Sequence, residues 1–385
     1  MRSRKWLSAM STATFRRITA IGITVTARRV CGFSTTSSSA AAAASSKRRV
    51  VVVGKIIIDE YRTPEQLPEE ALVSVGGGAP QAAFGAAAAL AVMSGNEAAA
   101  SRQPVTLVGA VGAQDWGHVE EKALGQSLDD AIDSIQLVRV ESLKTPRIQL
   151  WHDADQNVQW RALHDSFGTE GADSLWRGRP SASDILQHVD GSCSITCHAI
   201  MEGGAESPGG GADSDFFTDA NLRDVVTHWG VEPVVFPGED GQVSRVDAES
   251  TMERFKKMET VVNLVSPDRQ LYEAVDKSFW KGWEVGLRLG PKGSVALQSG
   301  GGRSIEIPAA TLKTPDGTPV NPTGAGNAYA AALTACRGSG LTLEESACVA
   351  SAIGAVMCEY DHIPPWTPDV LCRIREALKD IKSKL

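Results

Sequence analysis

Apolar and polar positions fall into three rhythms along this chain, and each predicts a different kind of element. The stretch RRVVVVGKIIIDEY (48–61) is a β-branched run closed by acid, with no alternation, which predicts a central strand buried on both faces of a parallel sheet. PVTLVGAVGAQDWG (104–117) predicts a second buried strand with glycines at its C-terminal end, and further buried strands are predicted at 231–236, 261–265, 285–289 and 294–298. Between the first two, VGGGAPQAAFGAAAALAVMSG (75–95) predicts a glycine turn followed by a helix of very small residues, able to lie close against a sheet. Alternation returns in TPRIQLWHDADQNVQWRAL (145–163), where apolar and polar residues flank an Asp/Asn cluster and predict an antiparallel hairpin with one face covered. That hairpin, with segments near 60–75, is expected to form a small β lid over 60–75 and 145–165. The Gly/Pro/Ser/acid stretch at 202–215 predicts a mobile surface loop, since strands and helices resume beyond it.

Helical spacing dominates the C-terminal part. One helix is predicted from about 325 to 337, ending at Gly-Ser-Gly. A second begins where Thr342 and Glu345 make a capping box, each side chain satisfying a backbone amide. The last starts at Thr367 with Pro368 in its first turn, and Val370, Ile374, Leu378 and Ile381 share one face. Taken together, the elements make an α/β chain without internal repeats.

With 385 residues and 42% hydrophobic content, the chain is long enough for one large α/β domain or two ordinary ones. The formal charge of −8 hides an uneven distribution. Residues 1–46 hold seven Lys/Arg and no Asp/Glu; removing those seven from 38 leaves 31 basic against 46 acidic residues, or −15 for the remainder. Such a body repels nucleic acid and anionic lipid, so neither nucleic acid nor membrane is an expected partner, and a small molecule is. No apolar run approaches the roughly 20 residues of a membrane-spanning helix. The first 46 residues, Arg-rich, Ser/Thr/Ala-rich and acid-free, have the composition of an organelle transit peptide; a basic tail that stays attached is the other reading. Arginine outnumbers lysine there, and the pairs Arg16/Arg17 and Arg28/Arg29 flank a mildly amphipathic stretch, which favours a mitochondrial address over a plastid or cytoplasmic one. The folded domain is then 47–385.

Seven cysteines, an odd number with Cys31 in the leader, do not make a disulfide framework in a chain of this size. Cys193, Cys197 and His198 invite a metal reading, but no second ligand pair follows at finger-like spacing, which favours buried thiols.

The chemistry concentrates in NPTGAGNAYAAAL (321–333). Gly324, Ala325 and Gly326 let a ligand approach the free amides at the start of a helix, where the dipole's positive end favours a phosphate. Small residues also let a helix start tightly against a sheet, so the loop alone does not decide the matter. Neither G-x-x-x-x-G-K-[ST] nor a G-x-G-x-x-G after the first strand occurs, which disfavours the Walker and dinucleotide-binding readings.

Several motifs in order give the chain a wider resemblance, from about residue 48 to the end. Gly54 to Asp59, the Gly77–Gly78 turn, VGAVGAQDWG with Asp115, LRLGPKGSV (287–295) and NPTGAGNAY resemble the PfkB, or ribokinase-like, family of sugar and nucleoside kinases. The resemblance implies a three-layer α/β sandwich, with a mostly parallel central sheet flanked by helices and a small β lid. It also implies ATP and Mg²⁺ as cofactors, and a sugar or related polyol as substrate. Asp59 would bind substrate hydroxyls with Gly77, Gly78 and Gln81 beside it. Gln81 is the nearest amide to the Asn that the family places after this turn. Arg288, Gly290, Gly293 and Thr323 would face the nucleotide, Gly324, Ala325 and Gly326 would form the anion hole, and a homodimer through the lid is expected. A carboxylate such as Asp59 can accept two hydroxyl hydrogen bonds, which suits a polyol.

Two departures bear on activity. The family's catalytic base is an Asp at the position of Asn327, and the Asp that opens the same signature is Asn321; the chain resembles a eukaryotic branch with Asn at the base position. An amide has no lone pair basic enough for the task, and general-base assistance is worth about 10²- to 10⁴-fold, or roughly 3 to 5.5 kcal/mol of barrier. Positioning and charge stabilisation would remain. Second, SPDRQLYEAV (266–275) stands where the family has Asn-x-x-Glu: Asp268 can replace the Asn, but Leu271 falls at the Glu and Glu273 comes two residues late. How a metal would be held is therefore left unassigned. Three readings remain open: a slow sugar or polyol kinase, a kinase-like binding protein without chemistry, and a structural partner that uses only the fold.

Overall fold

The run at 48–55 buries side chains alternately on two sides: Val50 and Val52 join one apolar cluster, and Val51 and Val53 join another. A strand of this kind needs a cover on each face, and the surrounding elements supply it. The computed structural model describes residues 48–67, 72–95, 101–141, 144–152, 158–163, 182–186, 194–203, 219–235, 243–256, 261–314 and 320–385. In chain order these form β1 (Arg48–Lys55), β2 (Ile57–Tyr61), β3 (Leu72–Gly76), α1 (Gly78–Met93), β4 (Gln103–Gly112), α2 (His118–Leu128), β5 (Ile132–Val140), β6 (Arg147–His152), β7 (Val158–Ala162), α3 (Ala182–Leu186), β8 (Ser194–Gly203), α4 (Ala220–Val225) and β9 (Val226–Val235). They continue as α5 (Arg245–Lys256), β10 (Leu264–Val265), α6 (Arg269–Ala274), β11 (Glu284–Arg288), β12 (Ser294–Leu297), β13 (Ser304–Ile307), α7 (Ala325–Gly338), α8 (Leu343–Met357) and α9 (Pro368–Lys384).

A nine-stranded sheet runs in the order β13-β12-β11-β10-β9-β8-β1-β4-β5, parallel except for the antiparallel pairs at β11–β12 and β12–β13. Helices α1, α2, α7, α8 and α9 pack on one face, and α3 to α6 on the other, giving the expected three-layer α/β sandwich. A separate four-stranded sheet, β3-β2-β6-β7, is built from the segments expected to form the lid.

The stretch 48–61, predicted as one strand, is two. Ile56 is fully buried between them, with its Cδ1 only 2.5 Å from where a Cβ would stand on Gly109. There the chain leaves the large sheet for the lid, which a β-branched run reads equally well on either side of the break. Strand β9 begins at Val226, earlier than predicted, while β5, β8 and β13 were not predicted at all. Polar residues inside them (Thr196 and His198 in β8, Asp133 and Gln136 in β5) hide their strand character. The loop expected at 202–215 lies outside the described residues from 204 onward. Both predicted caps form: Thr342 with Glu345 at α8, and Thr367 at α9. On α9, Val370, Ile374 and Ile381 are buried and Leu378 is half-buried.

Helices α1 and α7 meet at very short range because both are built from small residues. A Cβ on Gly85 would fall 2.2 Å from the Ala328 carbonyl oxygen. That contact sets the two helix N-termini side by side: a Cβ on Gly78 would lie 3.0 Å from Asn327 Nδ2, and one on Gly324 would lie 2.2 Å from Gln81 Cδ.

Candidate active site

The loop before α7 is fixed by its own amide side chain. Asn321 is buried; its Oδ1 accepts from the Thr323 amide at 3.0 Å, and its Nδ2 donates to the Asp361 carbonyl at 3.1 Å. Gly324 then adopts a left-handed conformation (φ 78°), which with Gln81 pressed against it leaves no room for a side chain. Ala325 N donates to Pro322 O at 3.2 Å, while among the described residues the amides of Gly326 and Asn327 meet no acceptor. Two free amides thus point out of a half-buried helix start, where the peptide dipoles favour an anion.

Asp59 comes from the lid strand β2, paired with Ser74 of β3. Its carboxylate is 3% exposed and rests on Gly76, where a Cβ would collide with Oδ2 at 1.8 Å. Its Oδ1 is buried with no hydrogen-bond partner among the described residues. Burial pushes its pKa from the ordinary 3.8 up to about 7. Two positions after Gly76 the chain reaches Gly78, beside Asn327. The Gly77 turn between them has φ 85° and packs onto the Ile57 backbone. A second link closes the ring, since the Tyr61 hydroxyl donates to the Asp361 carbonyl that also receives Asn321. Burial, then the Asp59 charge, raise the Tyr61 pKa. Asp59, the Gly77–Gly78 turn and the anion loop are therefore neighbours.

At the base position, Asn327 Nδ2 donates to Glu232 Oε2 at 3.1 Å, and the other carboxylate oxygen of Glu232 pairs with Arg288 Nη1. Glu232 is 1% exposed on β9. Arg288 ends β11, its Nη1 lies 2.3 Å from where a Cβ would stand on Gly326, and its Nε is buried without a partner among the described residues. Glu232 was not singled out by the sequence reading, although a lone acid inside the run VEPVV was a usable signal.

Several further positions make contacts within the fold. Gly293 (φ 94°) turns β11 into β12 under Ile307 O, which would stand 2.1 Å from a Cβ; Gly290 (φ 58°) faces open space. Asp268 caps α6 by accepting from Leu271 N at 2.8 Å, Leu271 is buried in the core, and Glu273 pairs on the surface with Arg269. Asp115 accepts from the Thr145 amide at 2.7 Å and, with Glu60 and Glu120, surrounds Arg147, so it anchors the entry to the lid. The Gln149 amide donates to the carbonyls of Arg62 and Thr63 at 2.9 Å. Cys197 and His198 point to opposite sheet faces, as neighbours on a strand must, and His198 Nδ1 meets Thr334 Oγ1 at 3.0 Å. Cys193 lies outside the described residues.

The groups present fit the phosphates of a nucleotide: two amides without an acceptor among the described residues, a helix dipole and the Arg288 guanidinium beside Gly326. For a metal the chain offers no cage, because no three His, Cys, Asp or Glu side chains converge among the described residues. Mg²⁺ arriving with phosphate oxygens and water suits such a site.

Residues 273–362, which include β11 to β13, α7, α8 and the anion loop, match the family model described as pfkB family carbohydrate kinase. No curated protein matches the chain. Among solved structures, the Arabidopsis thaliana ribokinase complexed with ribose and ATP aligns with a TM-score of 0.52 at 16% identity over 86% of this chain and 98% of its own. A Methanocaldococcus jannaschii nucleoside kinase of the ribokinase family gives 0.52 at 19% identity, over 86% and 99%. Phosphofructokinase-2 from Escherichia coli gives 0.54 at 15%, over 86% and 99%. The chain has the ribokinase-like fold, and its segment 273–362 is a match to the pfkB carbohydrate kinases.

Proposed function

We propose that the protein is a PfkB-family phosphotransferase that takes ATP at the α7 N-terminus and a sugar or polyol at Asp59, and transfers the phosphoryl group slowly. One observation carries the reading: a buried carboxylate, with one oxygen that has no hydrogen-bond partner among the described residues, rests on Gly76, two positions before the Gly78 that neighbours Asn327, whose amide and that of Gly326 meet no acceptor among the described residues. Asp59 accepts hydroxyls and orients the acceptor; Gly326 and Asn327 amides, with Arg288, stabilise charge on the transferred group. Mg²⁺ bound with the nucleotide would neutralise phosphate charge. Position 327 offers a carbonyl oxygen that accepts the acceptor's O–H without taking its proton; as the new O–P bond forms and the bond to ADP breaks, that proton passes to the transferred phosphoryl oxygens or to water, hence the slow rate. The Arabidopsis neighbour's ribose and ATP make natural first probes.

Thermal shift with Mg-ATP, then with a polyol panel, tests binding: a ligand held only by the native state at 100 times its Kd adds about 2.7 kcal/mol. No shift with either class would overturn the reading. A second reading, binding without turnover, is favoured by Asn327 and by Leu271 standing buried where an acid is expected. Shifts with both ligands and no phosphorylated product would select it. We also propose that residues 1–46 are a mitochondrial leader, tested by sequencing the mature N-terminus, and that the edge strands β3 and β7, which bond no further strand among the described residues, pair two copies, tested by sedimentation.

A further inference from the structure

We propose that Glu232 is the positioning carboxylate of the transfer site, carrying the negative charge that position 327 lacks; this rests on the phosphotransferase reading above. A carboxylate accepts and does not donate, so Asn327 must turn Nδ2 toward Glu232 and leave Oδ1 for another donor. The side-chain carbonyl is thereby left for an acceptor hydroxyl. The second oxygen of Glu232 holds Arg288, keeping the guanidinium on the first turn of α7 beside the free amides. Fixing one buried carboxylate between an amide and a guanidinium orients both at once.

Two consequences follow from charge. A phosphate entering the site must share Arg288 with Glu232, so the carboxylate lowers anion affinity while it keeps the cation in place. An Asp at 327 would set a second carboxylate where the amide nitrogen now sits 3.1 Å from Glu232 Oε2, and like charges at that range do not both ionise freely. The amide at 327 is then the electrostatic complement of Glu232 rather than a simple loss. Arg288 of β11 is the charged group shared by the site, and among the described residues His198 from β8 and Tyr329 from α7 interact with its charge, while the capping Asp268 before α6 forms a backbone bridge with it. Burial holds His198 neutral, with its pKa pushed down to about 3, and pushes Tyr329 up to about 12, so neither titrates between pH 5 and 8.

Calorimetric titration of Mg-ATP and Mg-ADP into the full chain is the first arm. Glu232→Gln should bind nucleotide about tenfold more tightly, from the removed repulsion, while kcat for any measured transfer falls about tenfold as Asn327 loses its fixed orientation. A carboxylate that only supports the fold would instead weaken nucleotide binding and lower Tm. The second arm needs no ligand: Asn327→Asp, alone and combined with Glu232→Gln, is unfolded in urea at pH 5 and pH 8. Alone it should lose more stability from pH 5 to pH 8 than the natural chain, in which Asp59 already contributes a loss, because the folded pair holds a further proton that the unfolded chain releases; combined, the loss should return to that of the natural chain. Equal pH responses in the two backgrounds, or unchanged or weaker nucleotide affinity in a folded Glu232→Gln protein, would overturn the role of Glu232. Coupling without any nucleotide binding by the natural chain would overturn the phosphotransferase reading, and catalytic positioning with it.

Discussion

Replacing Asp59 by Asn tests the role proposed for this buried carboxylate. The carboxylate is buried at 3% exposure with one oxygen unpartnered, and its pKa stands at about 7 against an ordinary 3.8. The unfolded chain releases this proton near pH 4, the folded chain near pH 7. Between those values the folded state holds a proton that the unfolded state has lost, so stability falls as pH rises through the window and is flat on either side. About three pH units at about 1.36 kcal/mol each make about 4 kcal/mol at full ionisation. Asp59→Asn, neutral at every pH, should therefore be more stable than the natural chain by up to about 4 kcal/mol at pH 8, with little of that gain at pH 4. Urea unfolding at the two pH values measures the difference. The depressed histidines His198 and His228 weigh on acid stability in both proteins and cancel in the comparison. The same variant should weaken polyol binding and spare nucleotide, and polyol affinity of the natural chain should rise through pH 7 as hydroxyl donors meet a charged acceptor. A stability gain equal at both pH values would refute the reasoning, since the buried charge would then not be its source.

Gly85→Ala places a methyl 2.2 Å from a carbonyl oxygen of α7 and should reduce stability by about 2 kcal/mol or more, read in urea. Gly324→Ala combines a left-handed backbone with a clash on Gln81; it should weaken nucleotide binding more than polyol binding in calorimetry. Arg147→Ala leaves Glu60, Asp115 and Glu120 facing each other around one vacated site. It should raise the KM for polyol more than that for ATP, because Arg147 lies on the lid.

Much of this arrangement could be read from the sequence because local chemistry announces it. The helix α7 declares its start through Gly324 and its anion loop through Gly326, and Thr342 with Glu345 spells out a cap that needs no tertiary partner. What escaped reading depends on partners far away in the chain. Nothing local says that Ile56 is the point where one sheet ends and another begins, because both sides are the same β-branched run. Glu232 and Arg288 are 56 positions apart and meet only because β9 and β11 flank the short β10. Gln81, read as a substrate amide, packs on Gly324, a contact made by the crossing of α1 and α7.

The crossing of α1 over α7 at Gly85 has a wider meaning for how such a protein can age. Because the helix that follows the Gly77 turn and the helix that follows the Gly324 loop meet through their smallest residues, the two positions proposed for acceptor and phosphate keep their spacing whatever side chains line them. A mutation that strips away proton chemistry leaves that spacing untouched, so a lineage can drift from catalyst to sensor without rebuilding its scaffold.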